Sequence, residues 1–382
     1  MIFRAGVLYD GSTKEPRRNA DLIVEDGRVR EIRDAQGDCD RSAACITPGL
    51  VNAHVHLEMS GEPDPLNLAL TVTAMQRMVR AVANARKALQ AGVTTVRDLG
   101  ASEGIAIAVR DAIEEGRIAG PRMRAAGNVL CMTGGHGWPI GRAVDSTDDA
   151  HKAVREQRLA GADCIKLIAT GGVLTKGAVP GVSQLTLGEM TAACAEAHRH
   201  GLRVAAHAIG TQGINDALRS GVDSIEHGML LDDESIALFK ERRVFLVPTL
   251  TAPACIIEHA ESGGQPEEVV RKAREISERM TENLQRAFKA GVRFAGGSDA
   301  GTPFNFHENY AEEVLLMQSQ IGMSARAALH AATAVSAELI GLHAGTLTPG
   351  EPADFLLLQA DIARDLRTLR EPAAVVKGGV SV

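Results

Sequence analysis

Aromatic residues are scarce in this sequence, since Phe, Trp and Tyr make up only 3% of its 382 residues. A substrate pocket must therefore rely on aliphatic and polar contacts more than on ring stacking. No run of about twenty apolar residues occurs, which argues against a membrane-spanning helix. The six cysteines are scattered without a CxxC pair, as expected for thiols in a reducing cytosol rather than for a disulfide framework.

Positive charge is not in excess either, because the formal net charge is −7. This balance argues against a nucleic-acid-binding surface. The first residues, MIFRAGVLYDG, lack the charged start, apolar core and cleavage site of a signal peptide, so we expect a cytoplasmic protein with no membrane partner. The sequence does not determine the oligomeric state, and a homo-oligomer is compatible with it.

Both ends of the chain have the pattern of β structure. Residues 1–48 alternate apolar and polar residues between Asp-Gly turns, and EDGR at residues 25–28 is a strong hairpin signal. Residues 346–382 have the same character. We therefore predict that the two ends pair into one small β-sandwich domain. The long middle, residues 49–345, would be a second domain inserted between them.

The middle of the chain alternates apolar strand candidates with amphipathic helices. Eight strand–helix units follow one another, from TPGLVNAHVH to VRFAGGSDAG. Eight units over roughly 300 residues suit an α/β protein with a (β/α)8 TIM barrel. A doubly wound open sheet is the alternative, but no Gly-rich dinucleotide-binding turn follows the first strand.

Polar residues fall at the predicted strand ends. His54 and His56 project from one face of the first strand, because alternate side chains of a strand point the same way. Neutral imidazole is a common zinc ligand, so the pair indicates a metal site. Further candidates follow at other strands, and together they predict one metal centre at the barrel mouth: Lys166 (strand four), His207 (strand five), His227 (strand six) and Asp299 (strand eight).

Each of these residues also has an ordinary structural explanation when it is taken alone. His207 or His227 would then be a hydrogen-bonded core histidine, and Asp299 would cap a turn. Lys166 is harder to explain in this way, because a buried ammonium in the apolar strand CIKLIA is costly unless it is paired or chemically changed. The combination of six residues at five strands favours the metal site.

The motifs around these residues resemble those of the amidohydrolase superfamily, in its imidazolonepropionase-like and Xaa-Pro dipeptidase-like branch. The resemblance covers nearly the whole chain and rests on PGLVNAHVH, GVTTVRDLG, TGGHG, IKLIATGG, AAHAIGTQGINDAL, SGVDSIEHG, VPTL and GSDAGTPFNFH. It implies two divalent metal ions, usually Zn²⁺, bridged by a carboxylated Lys166 and a hydroxide. By this resemblance His54, His56 and Asp299 would hold the first metal, and His207 and His227 the second.

The resemblance also implies the reaction. Two metal ions lower the pKa of a bridging water and so provide hydroxide at neutral pH. Asp299 would act first as general base and then as general acid toward the leaving amine. The expected reaction is hydrolysis of an amide bond in a small molecule, either a dipeptide of the Xaa-Pro type or an N-acyl amino acid.

Three more residues are candidates for contacts with the substrate. His136, in TGGHGWP after strand three, is predicted to bind the substrate carbonyl or the tetrahedral intermediate. Trp138 lies on the same loop and would wall the pocket, and His307 in TPFNFHEN is a weaker candidate. Relatives often carry a substrate-contacting tyrosine shortly after the strand-seven motif, and VPTLTAPACIIEHA has none. The substrate of the relatives is therefore not transferred to this chain.

The sequence is compatible with three alternatives to an amide hydrolase. The same metal site would serve a hydrolase of cyclic amides, lactones or carbamates. A deaminase is the second alternative, but deaminases of this superfamily generally use one metal and lack the bridging lysine, so Lys166 argues against it. The third is a non-catalytic scaffold, and the presence of all six candidate ligands argues against that reading.

Overall fold

The computed structural model of the chain describes residues 1–261 and 264–382. Within these ranges the strands are β1 (Ile2–Leu8), β2 (Arg17–Glu25), β3 (Arg28–Asp34), β4 (Arg41–Pro48), β5 (Leu50–Val55), β6 (Val93–Asp98), β7 (Arg122–Ala125), β8 (Val129–Cys131), β9 (Gly141–Ala143), β10 (Cys164–Ile168), β11 (Arg203–Ala208), β12 (Ser224–His227), β13 (Phe245–Val247), β14 (Arg293–Phe294), β15 (Phe355–Leu358), β16 (Ala374–Lys377) and β17 (Val380–Ser381).

The α-helices of the same ranges are α1 (Pro65–Thr71), α2 (Ala74–Gln90), α3 (Ile105–Glu114), α4 (Thr147–Leu159), α5 (Leu187–Arg199), α6 (Thr211–Ser220), α7 (Asp233–Arg242), α8 (Thr251–Glu258), α9 (Glu267–Lys289), α10 (Tyr310–Leu316), α11 (Ala325–His330) and α12 (Ser336–Ile340). Short 3₁₀ or π-helical segments lie at Trp138–Ile140, His307–Asn309, Met317–Ile321, Ala331–Val335 and Leu366–Arg370. No helix of the described ranges is long and apolar enough to cross a membrane.

The two ends of the chain form one sheet with the strand order β17-β16-β15-β4-β1-β2-β3. The ends meet where β15 pairs antiparallel with β4, with Phe355 opposite Pro48. The sheet buries its own apolar cluster, in which Phe3, Leu22 and Ile46 are almost fully covered together with Phe355. A separate β unit built from both ends was predicted from the sequence. Its division from the barrel at residues 48 and 346 stays a prediction.

The hairpin predicted at EDGR is present between β2 and β3. Glu25 pairs with Arg28, and the two residues between them, Asp26 and Gly27, have φ values of 50° and 74°. These left-handed values at both central positions are those of a type I′ turn, whose twist matches that of the flanking strands.

The barrel is built from the eight strand segments that the sequence predicted. One parallel sheet of the barrel contains β5, β6 and β7. The next contains, in order, β8, β10, β11, β12, β13 and β14. A parallel bridge between Val55 and Ala300 joins the last segment to the first. The predicted (β/α)8 barrel, with a separate β unit from both chain ends, is thereby confirmed.

The third barrel strand differs from the prediction because it is broken. RMRAAGNVLC reads as one strand, but β7 ends at Ala125 and β8 begins at Val129. Gly127, between them, has a φ of 70°, a left-handed conformation that an extended strand cannot accommodate. The backbone N–H of Asn128 is then satisfied by the side-chain oxygen of Gln157 on α4 rather than by a neighbouring strand.

Two helices after β13 cover one side of the barrel mouth. α9 is amphipathic, and its buried residues recur every three or four positions, as in Ala273, Ile276, Met280 and Leu284. α8 packs against the first turns of α9. The pair therefore forms a wall beside the strand ends that carry the candidate site.

Candidate active site

The strand-end residues singled out from the sequence lie around one cavity at the mouth of the barrel. β5, β10, β11 and β12 carry four of them. His56 follows directly on β5, and Asp299 lies in the loop after β14. The cavity is lined by His54, His56, His136, Lys166, His207, His227 and Asp299. This is the edge of a TIM barrel at which catalytic residues from different strands meet.

His54, His56 and Asp299 are close enough to share one ion. Oδ1 of Asp299 lies 3.2 Å from Nε2 of His54 and 3.2 Å from Nε2 of His56. One potential ligand atom from each residue lies within 4.8 Å of the other two. Burial raises the pKa of the Asp299 carboxyl, but His54 and His56 outweigh burial and hold the pKa well below its ordinary value. Two imidazoles and a carboxylate are a typical donor set for Zn²⁺.

Lys166, His207 and His227 lie beside this trio. The ring centroids of His207 and His227 are 4.4 Å apart, and His227 is 5.4 Å from His54. Nζ of Lys166 and Nε2 of His207 are buried without a hydrogen-bond partner among the described residues. Burial also lowers the pKa of the Lys166 ammonium to about 8. Buried polar atoms without partners are costly, so this donor set fits a site that is completed by bound metal.

Three of the candidate ligand histidines are oriented through Nδ1. Nδ1 of His56 donates to the backbone oxygen of Gly100 at 2.8 Å, and Nδ1 of His227 lies 2.7 Å from the hydroxyl of Thr249. A carbonyl only accepts, so the neutral His56 ring carries its proton on Nδ1 and leaves the Nε2 lone pair for a metal. Contacts of this kind fix ring orientation in metal sites.

The third oriented histidine is His54, whose Nδ1 lies 2.9 Å from Oε2 of Glu226. Glu226 is fully buried, and its other oxygen pairs with the guanidinium of Arg97 at 2.9 Å. Sequence reasoning missed both residues. The available signal was one acidic and one basic residue inside two apolar strands, SIEH and VTTVRD, since buried charges of opposite sign usually pair.

The backbone is constrained at three consecutive strand ends of the site. His227, Thr249 and Asp299 have φ values of 73°, 49° and 59°. Positive φ is uncommon outside glycine, and such residues cluster at functional sites, where the surrounding structure holds them in place.

His136 lies next to the second group of ligands, with its ring centroid 4.5 Å from that of His207. Its Nδ1 is 2.8 Å from the hydroxyl of Thr175, and its backbone N–H donates to the side chain of Gln184. Burial lowers the pKa of His136 to about 4. Gly172 packs so closely on the ring that a Cβ at this position would overlap it. The His136 ring is thus held on two sides.

Trp138 and His307 are not among the residues that line the cavity. The Trp138 residue is 47% exposed, whereas its neighbours Gly137 and Ile140 face the cavity. His307 is buried, and its Nε2 lies 2.8 Å from the backbone oxygen of Met59. This contact holds the backbone of Met59, which is three residues after His56. The substrate contacts of Trp138 and His307 stay predictions. The contact with Met59 gives His307 a structural role.

The sequence matches an established protein family over most of its length. The family model described as "Amidohydrolase family" matches residues 45–382. The chain belongs to the amidohydrolase family. The resemblance inferred from its motifs is confirmed.

Similar amidohydrolases are found among both sequences and solved structures. "Ochratoxinase" from Aspergillus niger is 29% identical, over 99% of this chain and 85% of that protein. The crystal structure of a Xaa-Pro dipeptidase with bound methionine in its active site is 30% identical with a TM-score of 0.92, and it covers 100% of this chain and 99% of the other. A prolidase complexed with N-methylphosphonate-L-proline is 27% identical with a TM-score of 0.91, at 100% and 99% coverage.

Proposed function

We propose that this protein is a metal-dependent hydrolase that cleaves an amide bond in a small molecule. The observation that carries the proposal is the convergence of four histidines, Lys166 and Asp299 on one cavity at the barrel mouth. The amide bond is supported by the relatives, which include an ochratoxinase, a Xaa-Pro dipeptidase and a prolidase. The proposed substrates are dipeptides of the Xaa-Pro type or N-acyl amino acids.

The residues of the cavity would hold two divalent metal ions, which we take to be Zn²⁺. The first ion would be bound by His54, His56 and Asp299. The second would be bound by His207 and His227. A carboxylated Lys166 would bind both ions. The buried, unpartnered Nζ of Lys166 and Nε2 of His207 support this assignment. When bound, the metal ions would polarise the substrate carbonyl and supply a water nucleophile at neutral pH.

Asp299 is proposed to move the proton of the reaction. Its side chain is 12% exposed, toward the cavity, and its Oδ1 is held by His54 and His56. The carboxylate accepts a proton from the attacking water and returns it to the leaving nitrogen, so that the amine departs neutral.

His136 is proposed to hold the substrate carbonyl oxygen. The hydroxyl oxygen of Thr175 accepts from the backbone N–H of Gly137, which leaves the hydroxyl proton free to donate to Nδ1 of His136. The ring proton then lies on Nε2, where it serves as a donor to an oxygen that gains negative charge in the transition state.

The six cysteines are free thiols in the structure, and this supports the inference that the enzyme works in the reducing cytoplasm. No contact among the described residues of the site favours a lactone hydrolase or a deaminase over an amide hydrolase.

The proposal is tested by amine release from a panel of dipeptides and N-acyl amino acids with the metal-loaded protein. We expect release by the wild type and a loss of at least about a hundredfold in kcat for Asp299→Asn, because the proton carrier is removed. Asp148→Asn, at an exposed position in the first turn of α4, is the control. Full metal occupancy without amine release from any member would contradict the proposal.

A further inference from the structure

The cavity above the candidate metal centre has aliphatic walls. Among the residues that the structure describes, sixteen line the cavity besides the four strand-end histidines, His136, Lys166 and Asp299, and Thr302 has the one polar side chain of these sixteen. The Thr302 hydroxyl is already committed, because it donates to the backbone oxygen of Asp299 at 2.8 Å. A substrate group that leaves the metal centre therefore meets hydrocarbon.

Two apolar clusters meet in these walls. One contains Leu66, Val129 and Ile168, from the segments that follow or form β5, β8 and β10. The other contains Ile256 of α8 and Ala273 of α9. Leu174 packs against both clusters, which joins them into one surface. We call this surface, from Leu66 through Leu174 to Ile256 and Ala273, the aliphatic wall.

No arginine, and no lysine other than Lys166, lines the cavity within the described part of the chain. Lys272 comes closest in sequence, since it precedes the lining residue Ala273, but its charge is used elsewhere. Its Nζ lies 2.6 Å from the Glu268 carboxylate and 3.3 Å from the backbone oxygen of Thr175. Asp299, the one carboxylate that residues 1–261 and 264–382 contribute to the lining, is likewise engaged by His54 and His56.

A charged terminus of a substrate would consequently lose its hydration against the aliphatic wall without gaining a partner. That loss disfavours a free carboxylate on the amine side of the scissile bond and a free ammonium on the acyl side. An uncharged apolar group loses no such hydration and gains from leaving water.

We propose, resting on amide hydrolysis as the reaction, that the substrates are uncharged hydrophobic amides in which neither side of the scissile bond carries a free ionic terminus. The enzyme is expected to prefer neutral derivatives of dipeptides and N-acyl amino acids, with their termini blocked, over the free compounds. The aliphatic wall is the specificity determinant.

Four substrates that share one scissile bond test the proposal with the metal-loaded wild type. Hexanoyl-leucinamide is neutral, hexanoyl-leucine adds a carboxylate, norleucyl-leucinamide adds an ammonium, and norleucyl-leucine adds both. We expect kcat/KM for the neutral compound to exceed that for either singly charged compound by at least about tenfold. Equal or faster hydrolysis of either charged compound would overturn the proposal while leaving amide hydrolysis intact.

If none of the four compounds reacts, amide hydrolysis is judged on the panel of dipeptides and N-acyl amino acids that tests the proposed function. The specificity is then decided by calorimetric binding of the same compounds to the metal-loaded protein. Binding of hexanoyl-leucinamide about tenfold tighter than hexanoyl-leucine and norleucyl-leucinamide supports the aliphatic wall, and equal or weaker binding overturns it.

A variant of the wall gives a second, independent readout. Ile256→Lys places a cation in the lining, and Ile256→Met is the neutral control of similar length. We expect the ratio of kcat/KM for hexanoyl-leucine to that for hexanoyl-leucinamide to rise about tenfold in Ile256→Lys relative to Ile256→Met. If Ile256→Lys does not fold, Ile276→Lys on α9 replaces it, because Ile276 also lines the cavity. An unchanged ratio in a folded variant would contradict the role of the wall.

Discussion

Nδ1 of His54 lies 2.9 Å from Oε2 of Glu226 inside the barrel. The contact is a close polar one rather than a well-aligned hydrogen bond. Arg97 holds the other oxygen of Glu226 at 2.9 Å and donates through Nε to the backbone oxygen of Ala53 at 2.7 Å. A candidate metal ligand on β5 is thus tied to β6 and β12 through one buried ion pair, which fixes which ring nitrogen faces the cavity.

Substitution of Glu226 by Gln should weaken metal binding as well as stability. Loss of the carboxylate frees the His54 ring, and outer contacts of this type typically change metal affinity by about 10- to 100-fold. Removal of one partner of a buried ion pair also destabilises a protein by about 3–5 kcal/mol. Metal affinity is measured by competition with a chelator, and stability by thermal unfolding.

Asp354→Asn is the matched control for Glu226→Gln. Asp354 is a buried carboxylate that pairs with Arg122 at 2.7 Å. It lies directly before β15, and Arg122 is the first residue of β7, so the pair is at the opposite end of the strands from the candidate site. We expect this variant to lower Tm without a change in metal affinity. Equal metal affinity in wild type and Glu226→Gln would show that Glu226 has only a structural role.

Substitution of Gly172 by Ala should displace His136. A Cβ at Gly172 overlaps the His136 ring, so the ring or the loop must move. A shift of about 1 Å in a group that positions the substrate can lower activity by about a hundredfold. We expect kcat/KM to fall by about 10- to 100-fold while metal content stays that of the wild type. Gly188→Ala, where the nearest atom lies at an ordinary 3.6 Å, is the control, and equal loss in both variants would contradict the explanation.

Glu196 should make stability depend on pH far from the candidate site. Hydrogen bonding from Arg155, with further support from His200 and Arg199, lowers the pKa of the Glu196 carboxyl from 4.5 to about 2. The carboxylate lies among four basic side chains on α4 and at the end of α5, which are His151, Arg155, Arg199 and His200.

A pKa that is lower in the folded state contributes stability above the unfolded value of 4.5, and this stability disappears as the pH falls toward about 2. Glu196→Gln should therefore have a lower Tm than wild type at pH 7, and the difference should shrink below pH 4.5. Glu275→Gln, in the exposed pair with Arg271, is the control and should change Tm little at any pH. A constant difference across the pH range would contradict the ionic origin.

The sequence predicted those features that depend on local pattern. Alternating strands and helices fixed the order of the barrel segments, and the parallel arrangement brought His54, His207 and Asp299 to one edge without knowledge of any contact. The hairpin at Asp26-Gly27 could be predicted because a type I′ turn requires two left-handed residues, and Asp-Gly adopts that conformation readily.

Features that depend on contacts across the barrel were not predicted. Glu226 and Arg97 lie far apart in the sequence, and their pairing follows from the closure of the sheet. The break at Gly127 needs the side chain of Gln157 on another helix. The direction of a loop side chain such as Trp138 depends on its packing, so its neighbours face the cavity while it is largely exposed.

The central claim is a hydrolytic site in which Lys166 completes a two-metal centre, and metal content tests it most directly. Elemental analysis of the wild type and Lys166→Ala should be combined with an assay of amide hydrolysis on both proteins. We predict about two metal ions per wild-type chain, and a fall in both metal content and activity in Lys166→Ala. One metal ion per chain in both proteins, unchanged by the substitution, would contradict the two-metal site.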